Sequence, residues 1–202
     1  MAKLSFPEKI LEVAEAYLDI LDRWNRIHSL TALKPEARFE ALLMDSVALL
    51  PHLEPIASGS LAADFGSGTG IPAVVIAAYR PDLCVAAIDR NYKKVAFIKQ
   101  VGFELKLNNL CVLHGPIESL MPLNADFGTA KAAGSIALIQ KWWKRHSAPE
   151  APFYAFKGPK KEALEENSEW NYETFPYQLP NLGERFLIKL FQRIGNSERK
   201  NI

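Results

Sequence analysis

Three glycines two residues apart, with an acid before them and another about 20 residues later, suit the capture of a nucleoside. The run Ala62-Ala63-Asp64-Phe65-Gly66-Ser67-Gly68-Thr69-Gly70-Ile71-Pro72 joins a short apolar strand, Leu61 to Phe65, to that glycine turn, and an apolar helical stretch follows at once. After Arg80-Pro81-Asp82 comes a second apolar strand, Leu83 to Ile88, ending in Asp89. Glycine tolerates positive φ and lets backbone approach a ligand closely. An acid at the tip of the second strand can accept hydrogen bonds from ribose hydroxyls. The turn Gly66-Ser67-Gly68-Thr69-Gly70 and Asp89 are therefore candidate contacts for a nucleoside-bearing cofactor.

The spacing narrows the cofactor. Dinucleotide folds read G-x-G-x-x-G, with the third glycine inside the helix to serve a pyrophosphate. Here the pattern is G-x-G-x-G with an acid two residues earlier. That variant resembles the first motif of class I S-adenosylmethionine-dependent methyltransferases, in which the turn packs against the methionine end of the cofactor. A dinucleotide site and a turn without ligand remain the alternatives. On the methyl-donor reading Asp64 receives the cofactor's ammonium, directly or through water, or else caps the turn.

The elements that must hold these residues read as follows. Ile10, Ala14, Tyr17, Leu18, Leu21, Trp24 and His28 recur at helical spacing and predict a helix over 6–28. Ser5 with Glu8 three residues on is a capping-box pattern at its start. A second helix runs from about Glu36 to Leu50 and stops at Pro51; residues 1–52 thus form an N-terminal helical cap. From residue 60 strands (60–65, 84–89, 110–114, 125–130, 151–156) alternate with helices (71–79, 91–106, 134–146, 159–168), and 171–178 and 185–192 suit an antiparallel pair closing the sheet. Such alternation gives an α/β, Rossmann-like, mostly parallel sheet with helices on both faces, and ligands sit outside the carboxyl ends of its strands. The chain then reads as one methyltransferase domain, with its cofactor-binding core over 60–192 and a polar, frayed tail from Gly195.

Bulk properties exclude several classes. A length of 202 residues suits one domain, and 49% hydrophobic residues suffice for its core. A net charge of +1 gives no global attraction to nucleic acid, so any RNA contact must be local. Charge does gather on one edge: Arg90, Lys93 and Lys94 follow the second strand, Lys131 the fourth, and Lys157, Lys160 and Lys161 the fifth. Phosphate contacts from such a rim would position an RNA without reading its sequence. Lys141, Lys144, Arg145 and His146 complement a helix dipole instead. Cys84 and Cys111 lie in apolar strands and read as buried free thiols of a reducing compartment. The four histidines, His28, His52, His114 and His146, lack metal-ligand spacing, so no metal is expected. No apolar signal or bilayer-spanning run is present, which implies a cytoplasmic protein without membrane partners.

Further motifs carry a closer resemblance. Trp24-Asn25-Arg26 with Leu30-Thr31-Ala32, then Asp45-Ser46-Val47-Ala48-Leu49-Leu50, Asp64 to Pro72, Arg80-Pro81-Asp82, Lys93-Lys94-Val95-Ala96-Phe97-Ile98 and Phe156-Lys157-Gly158 occur in one order. That order, from about residue 17 to 192, is similar to that of the bacterial 16S ribosomal RNA guanine-N7 methyltransferases of the GidB type. The resemblance implies a monomeric class I enzyme that methylates a guanine N7 in the small-subunit RNA with S-adenosylmethionine. It implies cofactor contacts at Gly66 and Ile71, an Ile117-Glu118 pair flanking the adenine, and Lys131 in place of an arginine. The chain departs from the family at Ala73 (glycine there), Lys131 (arginine), Arg90 (serine), Leu42 (histidine) and Ser29 (asparagine). Lysine cannot reproduce the planar fork of arginine.

The chemistry is an in-line displacement at a sulfonium, for which the protein supplies position and desolvation. Guanine N7 carries a lone pair and no proton, so no catalytic acid or base is named. The absence of an N-P-P-[YF] loop and of a Pro-Cys nucleophile agrees with that. The candidate cofactor set is Asp64, Gly66, Ser67, Gly68, Gly70, Ile71, Asp89, Ile117, Glu118 and Lys131, and the candidate RNA set is Arg90, Lys93, Lys94, Lys131 and Lys157. Trp142 and Trp143 either offer a stacking surface or belong to the core, and the mid-helix position favours core. The competing functions are a class I methyltransferase for another RNA or a protein, a non-catalytic homologue that binds cofactor or ribosome, and a dinucleotide oxidoreductase.

Overall fold

The computed structural model describes residues 2–159 and 169–192. Eight strands form one sheet: β1 (Ala2–Lys3), β2 (Leu61–Phe65), β3 (Cys84–Asp89), β4 (Leu110–His114), β5 (Phe127–Lys131), β6 (Phe153–Lys157), β7 (Trp170–Leu179) and β8 (Gly183–Gln192). Their order across the sheet is β1-β7-β8-β6-β5-β2-β3-β4. Strands β2 to β6 pair in parallel, and β8 runs antiparallel to both β6 and β7. The predicted closing pair is therefore present, with β8 inserted between β7 and β6. The predicted helix over 159–168, with Lys160 and Lys161, and the tail from Gly195 lie outside the described residues.

Side-chain alternation sorts the strands onto two apolar layers. Ala62, Val85, Ala87, Phe127 and Tyr154 join one core with Tyr17, Leu43, Val74, Ile76, Phe97 and Ile98. Ala63, Phe65, Ile88, Phe153 and Ala155 join the other with Ile136, Ile139 and Trp143. A sheet covered on both faces explains why its strands read as apolar runs. The first layer is closed by α1 (Leu11–His28), α3 (Asp45–Val47), α4 (Ala73–Tyr79) and α5 (Tyr92–Glu104), with the short α2 (Pro35–Arg38) leading into it; the second is closed by α6 (Ile136–His146).

The N-terminal segment differs in detail from its prediction. A 3₁₀ turn, Glu8–Ile10, precedes α1, and neither it nor α1 carries a side-chain cap, so the Ser5/Glu8 capping box does not form. Pro7, not Ser5, occupies the N-cap of that turn, and proline has no side-chain acceptor to cap it. The single predicted helix over 36–50 is a composite of α2, a π-helical stretch Phe39–Met44, α3 and a 3₁₀ turn Leu50–Leu53. At the end of α1, Ser29 adopts the left-handed conformation (φ 50°), and the Asn25 side chain clasps Thr31 through both its N–H and its C=O. The Trp-Asn…Leu-Thr-Ala motif is thus a helix stop. Asparagine, which the resemblance leads one to expect at position 29, is better suited than serine to that left-handed cap.

Arg80 braces the turn before β3. Its guanidinium takes both oxygens of Asp82 and the carbonyls of Leu53 and Ile56. Cys84 and Cys111 are free, as expected, but exposed rather than buried. Cys111 lies on the edge strand β4, beside Leu110 and Val112, which face the α5 layer; alternation turns its thiol to the opposite side. Among the described residues no helix is long and apolar enough to cross a membrane, and no three His, Cys, Asp or Glu side chains gather to hold a metal ion.

Candidate cofactor site

The carboxyl ends of β2 to β6 share one edge, and the strand order reverses between β2 and β5. Ligands of doubly wound sheets bind at such a switch point. The glycine turn stands there with φ of 65° at Gly66, 60° at Gly68 and 84° at Gly70, a region that favours glycine at all three positions. A Cβ at Gly66 would stand 2.9 Å from the Ala133 Cβ, so glycine also permits the close approach of the turn to the loop after β5.

Asp89 ties the turn to the next element. Its Oδ2 accepts from the Gly68 N–H (2.8 Å) and its Oδ1 from the Asn91 N–H (2.8 Å). Asn91 in turn caps α5, accepting from the N–H groups of Lys93 and Lys94. Asp89 is 8% exposed, so the strand tip is more enclosed than the sequence implies. A carboxylate offers about four lone-pair sites, of which these contacts use two. Ser67 adds a second tie, its N–H donating to the Ile88 carbonyl and its Oγ accepting from the Ile88 N–H.

Beside the turn opens a cavity of about 580 Å³. Gly66, Ile88 and Asp89 line its base, Arg90, Asn91 and Lys94 one side, Gly115 to Glu118 a second, and Ala132, Ala133, Leu138 and Trp142 a third. That volume is within the roughly 300–1,000 Å³ usual for small-molecule sites. Its wall is half apolar, and its polar groups converge from three loops and α6. These residues suit a nucleoside: an acid at the base with free lone pairs, apolar surface for a ring, and a glycine turn without Cβ atoms.

The predicted site residues divide. Gly66, Asp89, Arg90, Lys94, Ile117 and Glu118 come together in the cavity wall. Asp64, Ser67, Gly68, Gly70, Ile71, Lys93, Lys131 and Lys157 are not part of it. Ser67, Gly68 and Gly70 shape the turn, and Ile71 is buried behind it. Lys157 donates to the Gly134 carbonyl (2.7 Å) in the loop below the wall.

Lys131 is not on an open rim. Its Nζ lies 3.3 Å from Asp45 Oδ2 and donates to the Ala41 carbonyl (2.6 Å), and only 14% of its side chain is exposed. Asp45 is wholly buried and needs counter-charge: Tyr177 donates to Oδ1 (2.6 Å) and Arg185 to Oδ2 (3.1 Å). Burial pushes the Lys131 ammonium below its ordinary value, against the pull of Asp45. Asp64 lies on the same side, buried, with Thr129 Oγ1 donating to Oδ1 (2.9 Å) and no partner for Oδ2. Burial raises its carboxyl to about 6, opposed by hydrogen bonds and aided by the nearby Asp89 charge.

The two tryptophans, adjacent in sequence, have different surroundings. Trp143 is core, packed on Phe65 and Phe153 with its indole N–H on the Ala151 carbonyl. Trp142 lines the cavity, and its Nε1 donates to Glu118 Oε1 (2.8 Å). Neighbours on a helix point about 100° apart, so adjacent tryptophans do not share one apolar face. Arg145 and His146 prove structural, bonding the carbonyls of Leu120 and Ile117, and Lys144 pairs with Glu169.

Known proteins resemble this chain in sequence or in fold. The family described as rRNA small subunit methyltransferase G matches residues 10–186. A ribosomal RNA small subunit methyltransferase G of Methylobacillus flagellatus is 40% identical over 158 residues, covering 77% of this chain and 75% of that protein. The protein of that name from Chromobacterium violaceum is 35% identical over 193 residues, covering 93% and 91%. Among solved structures, a SAM-dependent methyltransferase from Aquifex aeolicus superposes with a TM-score of 0.59 at 16% identity, covering 77% of this chain and 92% of its own. M. jannaschii TYW2 in complex with AdoMet gives 0.54 at 12% identity, covering 74% and 77%. The last two likenesses are of fold.

Proposed function

Since this chain belongs to the rRNA small subunit methyltransferase G family, we propose that it methylates N7 of a guanine in 16S ribosomal RNA. The observation that carries this reading is the coincidence of a family match over residues 10–186 with a nucleoside-sized cavity at the strand-order reversal. It is an S-adenosylmethionine-dependent methyltransferase, and that cofactor, when bound, supplies an activated methyl group.

The chain's own residues do the rest. Asp89 accepts from the ribose hydroxyls with the lone pairs that Gly68 and Asn91 leave free. Ile117 and Leu138 give the adenine an apolar bed beside Glu118. Gly66 and its turn admit the amino-acid end, and Asp64, buried behind that turn, acts on its ammonium through water or through its charge alone. Arg90, Lys93 and Lys94, at the cavity mouth and the start of α5, hold RNA phosphates. A lone pair at N7 needs no base, so positioning and the exclusion of water suffice. The chain works as a monomer in the cytoplasm, where ribosomal subunits assemble.

Mass spectrometry of 16S RNA from cells with and without this protein tests the reading. One 7-methylguanosine should vanish with the protein and return with its expression. An unchanged nucleoside profile overturns it.

A further inference from the structure

The indole of Trp142 is a polar link across the cavity wall. It sits on α6, in the second half of that helix, while Glu118 belongs to the short 3₁₀ turn Ile117–Ser119 that follows β4. The two residues come from elements that are not neighbours in the sheet: β4 is its outer edge, and α6 follows β5. The bond from Trp142 Nε1 to Glu118 Oε1 (2.8 Å) therefore spans the cavity wall from one loop to one helix. A charged acceptor makes it one of the stronger kinds of hydrogen bond. The indole itself is held edge-on by Phe65 at the end of β2 (6.3 Å between centroids, 84° between planes). Phe65 is fully buried, so the ring is anchored at its apolar side and free to act at its N–H.

The Glu118 side chain is otherwise exposed, and its carboxyl is held below the ordinary value first by its own backbone N–H and then by the Trp142 indole. Without the indole only that local backbone contact steadies it, and the ligand must order the carboxylate across the wall on binding at an entropic cost. With the indole, one oxygen is fixed and the other remains available at the cavity wall. A fixed carboxylate facing a purine accepts from an exocyclic amine and repels a carbonyl at the same position.

We propose that Trp142 is a positioning residue of the cofactor site, which holds Glu118 across the wall and thereby sets the affinity and the base preference of its adenine end. The inference rests on the S-adenosylmethionine reading above. Binding of S-adenosylhomocysteine to the full chain, followed by calorimetry, separates the two. If the wild-type protein binds no S-adenosylhomocysteine, the cofactor reading itself fails.

If it binds, four proteins decide the inference: wild type, Trp142→Phe, Glu118→Ala and the double variant. Phenylalanine keeps an aromatic ring against Phe65 and removes the N–H. The expected loss in affinity is about threefold to tenfold for Trp142→Phe, the size of one partly exposed charge-assisted hydrogen bond. The same loss should appear with 5′-methylthioadenosine, which keeps the base and lacks the amino-acid end. In the Glu118→Ala background Trp142→Phe should cost nothing further, because the group it positions is gone. Discrimination against the S-inosyl analogue should weaken in Trp142→Phe, and in turnover the loss should fall on KM for the donor more than on kcat. Additive losses, or an unchanged affinity and base preference in Trp142→Phe, overturn the proposal. Circular dichroism of each variant guards against reading misfolding as weakened binding.

Discussion

Two groups of charged residues lie at the carboxyl edge of the sheet, one on each side of β5, and they do opposite things. Behind the glycine turn, Lys131, Arg185 and Tyr177 all converge on the wholly buried Asp45 and leave it fully paired, although the buried Arg185 Nε has no partner among the described residues. Beside it, Asp89, Arg90, Lys94 and Glu118 surround an open volume and keep acceptor and donor sites to spare. Both groups combine carboxylates with lysine or arginine. Residue type alone does not separate a structural cluster from a ligand site; the degree of mutual satisfaction does. A buried charge is costly until it is paired, so removing one partner of such a cluster is severely destabilising. Unused hydrogen-bonding capacity around a cavity is what a ligand meets.

The largest expected effect lies in the buried group. Asp45→Ala leaves Lys131, Arg185 and the Tyr177 hydroxyl without their common partner, and should destabilise the protein by about 3–5 kcal/mol. Urea unfolding measures it. A loss below about 1 kcal/mol would show that the cluster is hydrated and that the contrast between the regions is weaker than the geometry implies.

Next is Asp64, whose carboxyl is held near 6 in the fold against an ordinary 3.8. The folded chain then retains a proton that the unfolded chain releases between about pH 4 and 6. Stability should fall as pH rises through that window, by about 3 kcal/mol from this group alone. Asp64→Asn should flatten that slope. If Asp64 also draws the ammonium of the cofactor, S-adenosylhomocysteine should bind more tightly at pH 7 than at pH 5. An unchanged slope in the variant refutes the assignment of the titration.

Asp89 joins the two behaviours, because its carboxylate both braces the turn and faces the cavity. Asp89→Ala should weaken S-adenosylhomocysteine binding by about 1–3 kcal/mol and also lower stability by about 1 kcal/mol, since the N–H groups of Gly68 and Asn91 then lack their acceptor. Reduced stability with full affinity would move Asp89 into the structural group.

The smallest effect concerns RNA. Replacing Lys93 and Lys94 by glutamine should reduce the slope of log affinity against log salt by about 1 for each phosphate that the protein no longer neutralises. Lys131→Gln should leave that slope alone and lower stability instead. The reverse pattern would place Lys131 on the RNA face.

Much of this was legible in the residues. The apolar runs specify β2, β3, β5 and β6, because strands buried on both faces demand them, while β4 at the edge and the more open β7 and β8 are marked by shorter apolar runs. Three glycines at positive φ explain the turn, and the distance from Gly66 to Asp89 marks the strand tip. Other features depend on partners far along the chain. The sequence shows a charge at Lys131 but not the carboxylate of Asp45, and so a buried ion pair reads as an open rim. β1 has two residues, too few for any period to register. The π-helical stretch at Phe39–Met44 has no pattern of its own in a run of apolar residues. Trp142 was accessible in part: it stands beside a core tryptophan on a single-faced helix, which turns it off that face.

The most direct test of the central claim is methyl transfer in a defined mixture. Purified protein, S-adenosylmethionine labelled in its methyl group, and small subunits from cells lacking this protein are combined, and the RNA is digested to nucleosides for mass spectrometry. Label is predicted in 7-methylguanosine from 16S RNA, with transfer strongly reduced in Asp89→Ala. Label in protein, in another nucleoside, or in no product while S-adenosylhomocysteine still binds would contradict it.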